Sequence, residues 1–281
     1  MPLERNQLVE IVQNIPAFPQ SVNQVIAMTS SADCPPKKLV QVIERDPILT
    51  IKVLKLVNSA FFGLSKEVIS VQHSVVYVGL NTVKNVAISV AMSGVLPKTN
   101  EAGLDMGEFW KNSLAVGVIA KMLAEKHRVP PNETADYFVA GLLHNIGKVL
   151  FAHYFPAEYK EVLQLTEAKR IPLHKVEKKL LGLDHCQLGA LLAKEWKLPE
   201  HLRGCIRNHH TMAKDYGDNK LLVAIIAASQ LNHYINGSVG VLPQLPKQIE
   251  DYLGVPLIDV AESLDNLDNE IKKAQAFIDV S

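Results

Sequence analysis

The sequence predicts an all-α protein, built as a multi-helical bundle with an amino-terminal helical lobe. Apolar residues recur at spacings of three and four over almost the whole chain, as in Leu188, Leu191 and Leu192. This is the period of an amphipathic helix, whereas strict apolar and polar alternation, which is typical of strands, is scarce. Proline and glycine interrupt the pattern often enough to separate many short helices. The core is therefore expected to lie between helices.

The amino-terminal lobe is assigned to residues 1–96. Its boundaries between helices are marked by Pro16, Pro35-Pro36, Pro47 and Gly63, which interrupt the helical period. The predicted helices span residues 4–14, 20–31, 36–45, 47–58, 72–79 and 80–95. The stretch Pro97–Gly103 breaks helix and lacks apolar periodicity, so it predicts the boundary with the next lobe.

A second helical lobe is assigned to residues 104–236, and a helical extension to residues 237–281. The predicted helices span residues 107–127, 133–153, 156–169, 172–181, 185–196, 199–208, 218–236, 245–253 and 257–279. The helix at 133–153 has only a narrow polar edge, which predicts a central and largely buried position. The last helix has one apolar face on an otherwise charged surface, so we expect it to pack on the body or on a partner.

Composition excludes several classes of protein. The 281 residues contain 29 Lys and Arg against 29 Asp and Glu, and 48% are hydrophobic, which describes a folded globular chain. The absence of a basic excess argues against a nucleic-acid partner. No apolar run of about 18 residues suggests a membrane span, and no leader precedes the first helix, so a cytoplasmic location is expected. The widely spaced Cys34, Cys186 and Cys205 fit reduced thiols.

Four of the ten histidines lie where the surrounding pattern is apolar. They are His144, His185 and the adjacent His209-His210. Imidazole near an apolar interior must be neutral and hydrogen-bonded, or must bind a metal. Each histidine alone is best explained as structural, but several helices of one bundle can direct ligands to a common centre. A metal site is therefore one interpretation of the group.

Several ordered motifs resemble the HDOD domain, the HD-related output domain of bacterial signalling proteins. They are the string from Asp46-Pro47 through Asn58-Ser59 to Gly63, the segment AGLLHNIGK at 140–148, and the run HCQLGALLAKEWKLP at 185–199 that continues to His209-His210. The resemblance covers about residues 15–235. It implies an HD-domain-like helical bundle and a role in signalling, with a protein partner.

HDOD domains are similar to the HD and HD-GYP metal-dependent phosphohydrolases, which the resemblance allows us to compare position by position. The positions that correspond to the metal pattern form the pocket Asn112, His144, Asn145, His185, His209, His210 and Ser229. Asn112 replaces the first histidine, Asn145 replaces the aspartate of the His-Asp pair, and Ser229 lies where the last aspartate is expected. The resemblance therefore implies a degenerate metal site.

Loss of the carboxylates argues against catalysis, because a hard divalent ion prefers anionic oxygen ligands. No catalytic residue and no metal cofactor are expected. A softer ion such as zinc, nickel or iron at His144, His185, His209 and His210 remains open, as does a small ligand or nucleotide in the pocket. The preferred hypothesis is a non-catalytic signalling module that binds another protein. The alternative is a metal-dependent phosphohydrolase, acting on a nucleotide or cyclic dinucleotide with an altered ligand set.

Two further features have structural explanations. Asn58 and Ser59 end an apolar helix before Phe61 and Phe62, so their side chains are expected to satisfy free backbone groups while the rings enter the core. Contact with a partner is the alternative role of this motif. Cys186 follows His185, but neighbours on a helix point about 100 degrees apart, which argues against a thiolate and base pair.

Overall fold

A computed structural model of the chain describes residues 17–29, 35–213, 215–237, 245–264 and 266–279, apart from the side chains of Thr29 and Asn132. These residues form helices, and none of the described segments is a strand. The helices are α1 (Gln20–Thr29), α2 (Pro36–Glu44), α3 (Pro47–Val57), α4 (Val71–Val78), α5 (Leu80–Val95), α6 (Met106–Lys126), α7 (Pro131–Leu143), α8 (Ile146–Tyr154), α9 (Pro156–Lys169), α10 (Leu173–Leu181), α11 (His185–Glu195), α12 (Glu200–Asn208), α13 (Lys220–Ile235), α14 (Lys247–Leu253), α15 (Leu257–Glu262), α16 (Leu267–Ala274) and α17 (Ala276–Asp279). The all-α prediction is confirmed. The helix expected at 4–14 and the residue Cys34 lie outside the described ranges.

The family motif at 46–63 shapes the amino-terminal lobe. Asp46 caps α3, because its side chain accepts a hydrogen bond from Leu49 N at 3.0 Å, and Pro47 occupies the first helical position. Asn58 ends α3 and pairs with the backbone of Val68, donating at 2.8 Å and accepting at 2.7 Å. These contacts confirm the structural role expected for Asn58 and tie the end of α3 to the segment before α4.

Ser59 does not share that role. Its Oγ atom is buried without a hydrogen-bond partner, so the expectation that this side chain satisfies backbone groups is wrong. The turn after it depends on Gly63, which has a φ of +58°, a conformation that favours glycine. The turn places Phe61 in the core and leaves Phe62 partly buried.

The single helix expected at 133–153 is wrong, because α7 ends at Leu143 and α8 begins at Ile146. The break brings α8 directly against the first turn of α11. A Cβ added to Gly147 would lie 2.0 Å from the carbonyl oxygen of His185 and 2.8 Å from the backbone nitrogen of Gly189. Apolar periodicity continues across the break, so the sequence pattern alone does not reveal it. The expected burial is confirmed, since Leu143 and Phe151 are fully enclosed.

One hydrophobic cluster runs through both predicted lobes and the carboxyl-terminal helices. At its centre α6 and α7 pack closely, since a Cβ on Gly141 would lie 2.5 Å from the Cα of Gly117. Small residues at such a crossing let the two backbones approach. The cluster places the helix ends that carry His144, His185 and His209 deep in the body. The lobe boundaries at 96 and 236 stay predictions.

The carboxyl-terminal segment is not the single helix expected at 257–279. It forms the short helices α15, α16 and α17, which each contribute buried apolar residues such as Leu257 and Ala274. Phe277 packs on Phe138 and Phe61, with ring centroids 4.6 and 5.1 Å apart. The expected packing on the body is therefore confirmed.

Within the described ranges, no helix taken singly combines the length and hydropathy needed to span a bilayer. The helices α4 and α5 meet the length and composition criteria only when taken together, and they are bent by 119° relative to each other. The cytoplasmic location stays a prediction.

Candidate functional site

Three helix ends bring the histidines together. α11 begins at His185 and is fixed by a capping box, in which Asp184 accepts from Gln187 N at 2.9 Å and the Gln187 side chain accepts from Asp184 N at 3.1 Å. α12 ends next to His209 and His210, and α7 ends at His144. The side chains of His144, His185 and His209 are almost completely buried.

His185 is held by a buried glutamate. Its Nδ1 lies 2.6 Å from Glu177 Oε2, and its backbone N–H donates to the same oxygen at 2.9 Å. The other oxygen, Oε1, accepts from Tyr159 OH at 3.0 Å. Burial raises the pKa of Glu177, while these hydrogen bonds and the charge of Lys148 act in the opposite direction. A carboxylate that accepts three hydrogen bonds fits the ionised form.

The tautomers of His185 and His209 follow from their partners. His185 Nδ1–H donates to the Glu177 carboxylate, and His209 Nδ1–H donates to the carbonyl oxygen of Ile206 at 3.0 Å. Both rings are neutral, since burial lowers the pKa of His185 well below its usual value and that of His209 to about 3. Their Nε2 atoms therefore carry lone pairs, and these two atoms lie 3.3 Å apart.

Cys186 and His210 complete a compact group around this nitrogen pair. Cys186 Sγ lies 3.7 Å from His209 Nε2. The ring of His210 lies 5.1 Å from that of His185 and stacks on His174 at 4.3 Å, measured between centroids. One ligand atom from each of four residues lies within 4.8 Å of the others, and we call these residues the donor cluster: His185, Cys186, His209 and His210.

His144 lies beside the donor cluster without belonging to it. Its ring meets that of His209 edge-on, with centroids 4.8 Å apart, and its Nδ1–H donates to Gly141 O at 2.6 Å. Asn145 follows it, and the Oδ1 atom of Asn145 is buried without a hydrogen-bond partner. The position that would carry an aspartate in an HD pair thus presents a neutral and unpaired oxygen.

Asn112 and Ser229 lie on α6 and α13. The amide of Asn112 donates to Glu108 O at 2.8 Å, and its oxygen accepts from Asn232 at 3.1 Å and from Asn236 at 3.3 Å. Asn112 therefore connects α6 to α13. Ser229 is buried within α13. The assignment of both residues to the pocket stays a prediction.

The residues that sequence reasoning missed are Glu177, Tyr159 and the ligand position of Cys186. Glu177 belongs to the run Glu177-Lys178-Lys179, which has the composition of a solvated helix face. Its distance of eight residues from His185, across the turn at Gly182, gives no periodic signal. The Cys186 sulfur approaches His209 at the end of another helix, a contact that its position next to His185 along the chain does not reveal.

Comparison with known proteins decides the family. The HDOD domain profile matches residues 15–212, more than half of the chain. The protein belongs to the HDOD family. An uncharacterized protein from Treponema pallidum (strain Nichols) is 27% identical over 249 residues, which cover 88% of this chain. The match covers only 48% of that protein, so the chain spans about half the length of the curated relative.

Solved structures share the HDOD fold. A provisionally named phosphohydrolase from Shewanella amazonensis SB2B has a TM-score of 0.75 and 27% identity, covering 97% of this chain and 98% of that one. An HDOD domain protein of unknown function from Geobacter sulfurreducens has a TM-score of 0.75 and 24% identity, with 96% of each chain covered. A provisionally named signal transduction protein from Marinobacter aquaeolei VT8 has a TM-score of 0.76 and 24% identity, covering 98% of this HDOD chain and 65% of that one.

The hard divalent ions implied by kinship to HD phosphohydrolases do not fit this site. Such ions need anionic oxygen ligands. The two acids beside the donor cluster are engaged elsewhere, since Glu177 binds His185 and Tyr159 while Asp184 caps α11. Asn145 supplies only a neutral amide. The donor cluster therefore does not support a reaction step through such ions.

Proposed function

We propose that this chain is a non-catalytic HDOD regulatory domain that acts in signalling by binding another protein. The observation that carries the proposal is the lack, among the described residues, of a free carboxylate oxygen at the donor cluster. Activation of water on a hard cation depends on ligands that hold the cation while leaving a position for water. Imidazoles, a thiol and the amide of Asn145 do not supply that set.

Contact with a protein is supported by apolar side chains exposed in the amino-terminal lobe. Their exposed fractions range from 56% to 76% for Tyr77, Ile51, Ile48, Ile69 and Val76. These residues lie on or next to α3 and α4, two helices that contact each other. Exposed apolar side chains on neighbouring helices support this proposal, because exposed apolar patches are typical of interaction sites. The partner is expected to be a protein of a signalling pathway.

A metal-dependent phosphohydrolase is the second candidate. It is favoured by the donor cluster itself and by the likeness to the provisionally named phosphohydrolase of Shewanella amazonensis. An enzyme of this kind would act on a phosphodiester or a nucleotide. The missing carboxylates count against it, because Asn145 stands where the pattern of the enzymes has an aspartate.

A turnover assay separates the two candidates. The purified chain is incubated with bis-p-nitrophenyl phosphate and with a cyclic dinucleotide, in the presence of magnesium, manganese, iron(II) or zinc. We expect no hydrolysis above the rate of a matched His209→Ala variant. Metal-dependent hydrolysis by the unaltered chain that disappears in His209→Ala would overturn the proposal and favour the enzyme.

A further inference from the structure

We propose that the donor cluster binds a single zinc ion in a closed tetrahedral site, with His185 Nε2, His209 Nε2, a ring nitrogen of His210 and Cys186 Sγ as ligands. The inference goes beyond the proposed function, because it assigns to the protein a structural ion that takes no part in hydrolysis. It also departs from the expectation that no metal binds, and from the set of four histidines, since Cys186 takes the place of His144.

The distance between the two facing histidine nitrogens matches tetrahedral zinc. Zinc binds histidine nitrogen at about 2.0–2.1 Å and cysteine sulfur at about 2.3 Å. In a tetrahedron these lengths place two nitrogens about 3.3 Å apart and nitrogen and sulfur about 3.6 Å apart. The Nε2 atoms of His185 and His209 are 3.3 Å apart, as in such a site. Cys186 Sγ lies 3.7 Å from Nε2 and 3.8 Å from Nδ1 of His209, so it stands beside the ring and must rotate toward Nε2 to bind the same ion. The ligand atoms of the four residues lie within 4.8 Å of one another, a longer limit than these spacings, so the His210 ring must move toward the other ligands when the ion binds.

The hydrogen bonds leave these atoms ready to bind a cation. The Nδ1–H groups of His185 and His209 are already donated to Glu177 and to the carbonyl oxygen of Ile206. The two facing Nε2 atoms therefore have no proton to share, and their lone pairs repel each other unless a cation lies between them. A histidine ligand whose other nitrogen donates to a carboxylate is the usual arrangement around a metal.

The chemistry of the donors selects the ion. Thiolate and imidazole suit zinc, whereas magnesium and calcium prefer oxygen. On binding, the Cys186 thiol releases its proton to solvent and a sulfur–zinc bond forms, so the step is balanced without a redox partner. The thiolate and the Glu177 carboxylate then offset two of the three positive charges carried by the ion and by Lys148. Four protein ligands leave no position for water, which is typical of structural zinc sites.

Metal content and cobalt spectroscopy of the full chain test the proposal. After purification without chelator from zinc-supplemented medium, we expect one zinc per chain by mass spectrometry of the metal. Cobalt(II) added to the zinc-free protein should give the visible bands of tetrahedral cobalt and a thiolate charge-transfer band in the near ultraviolet. Cys186→Ser should remove the charge-transfer band and reduce the zinc content several-fold. The matched variant Cys205→Ser alters a buried thiol outside the cluster and should change neither.

Two outcomes overturn the zinc site. One is an unaltered chain that holds no stoichiometric zinc and gives no tetrahedral cobalt bands, a result that does not depend on whether any variant folds. The other is a thiolate band that persists in Cys186→Ser. Neither outcome bears on the turnover assay, and hydrolysis in that assay would remove the non-catalytic proposal while leaving the zinc stoichiometry as measured.

Discussion

Two groups of polar side chains lie among these helices, and their hydrogen bonds are satisfied in different ways. Around Asp136 on α7, the carboxylate oxygens accept from the amides of Asn85 at 2.6 Å and Asn81 at 3.2 Å, with His201 3.8 Å away. These contacts link α5 to α7 with groups of the chain alone. In the donor cluster, the Nε2 atoms of His185 and His209 face each other with no proton between them.

The difference separates a network completed by the chain itself from the cluster at which we propose a zinc ion. A buried polar group stabilises a fold only when its hydrogen bonds are satisfied within the protein or by a ligand. The Asp136 network meets this condition with its own amides. The donor cluster meets it on its outer side, through Glu177 and Ile206, and would meet it on its inner side through the proposed zinc ion. The two groups differ in burial, since the Asp136 side chain is 22% exposed while His185 and His209 are fully buried, and they differ in how their hydrogen bonds are completed.

The largest loss of stability is expected when Glu177, the carboxylate that holds His185, is removed. In chelator-treated protein, Glu177→Ala should lower the free energy of unfolding by about 3–5 kcal/mol, because it leaves buried donors of His185 and Tyr159 unpaired. Urea denaturation measures the change. The exposed carboxylate of Glu161 provides the matched control, and Glu161→Ala should leave the midpoint almost unchanged. Equal stability of Glu177→Ala and the unaltered chain would show that the outer side of the cluster is not a structural network.

A smaller loss of stability is expected from a substitution at the contact of α8 with α11. Gly147→Ala places a methyl group against the carbonyl oxygen of His185, so it should reduce the free energy of unfolding by about 3 kcal/mol and displace the histidine. Thermal denaturation and the chemical shifts of the histidine rings report both changes. Gly204→Ala on α12 meets no atom within 4 Å and should be neutral or slightly stabilising. If both variants behave alike, the close approach does not position His185.

The smallest effect concerns the Asp136 network and its pH dependence. Burial alone would raise the pKa of Asp136, but His201 and the amides of Asn85 and Asn81 hold it below its ordinary value. A lowered carboxylate pKa gives stability that is present at neutral pH and is lost as the pH falls through the folded pKa, below about 4. Asp136→Asn should therefore cost about 1–2 kcal/mol at pH 7 and progressively less in acid.

Unfolding measured by urea at several pH values tests this dependence. The exposed Asp251→Asn on α14 serves as the control and should leave the profile unchanged. A difference between Asp136→Asn and the unaltered chain that stays constant down to pH 3 would mean that the Asp136 carboxylate is not stabilised by its neighbours.

The sequence predicts helices best where local signals define both ends. The predicted bounds of α5 and α9 match the structure, since Gly79 precedes the first and Pro156 opens the second. The break between α7 and α8 has no such signal, because it is set by the contact of Gly147 with α11, a partner distant in the chain. The breaks in the carboxyl-terminal segment likewise depend on which residues reach the core.

The candidate site was predictable in part, for a similar reason. Motifs that resemble the family identify His185, His209 and His210, and the structure brings them together. Glu177 was missed because only tertiary packing distinguishes a buried glutamate from its exposed neighbours Lys178 and Lys179. Cys186 was judged against its neighbour along the helix, although its relevant contact is with His209 across the helix interface.

The insertion of Phe277 among Phe61, Phe62 and Phe138 has a practical consequence. The family match stops at residue 212, yet Phe277, far beyond that residue, packs against aromatic rings of the amino-terminal lobe. A recombinant fragment that ends at the matched boundary would expose these rings and would also lack α13. Truncation experiments should therefore retain the carboxyl-terminal helices. Aggregation or inactivity of a shorter fragment would reflect a damaged fold and would not show which residues are needed for function.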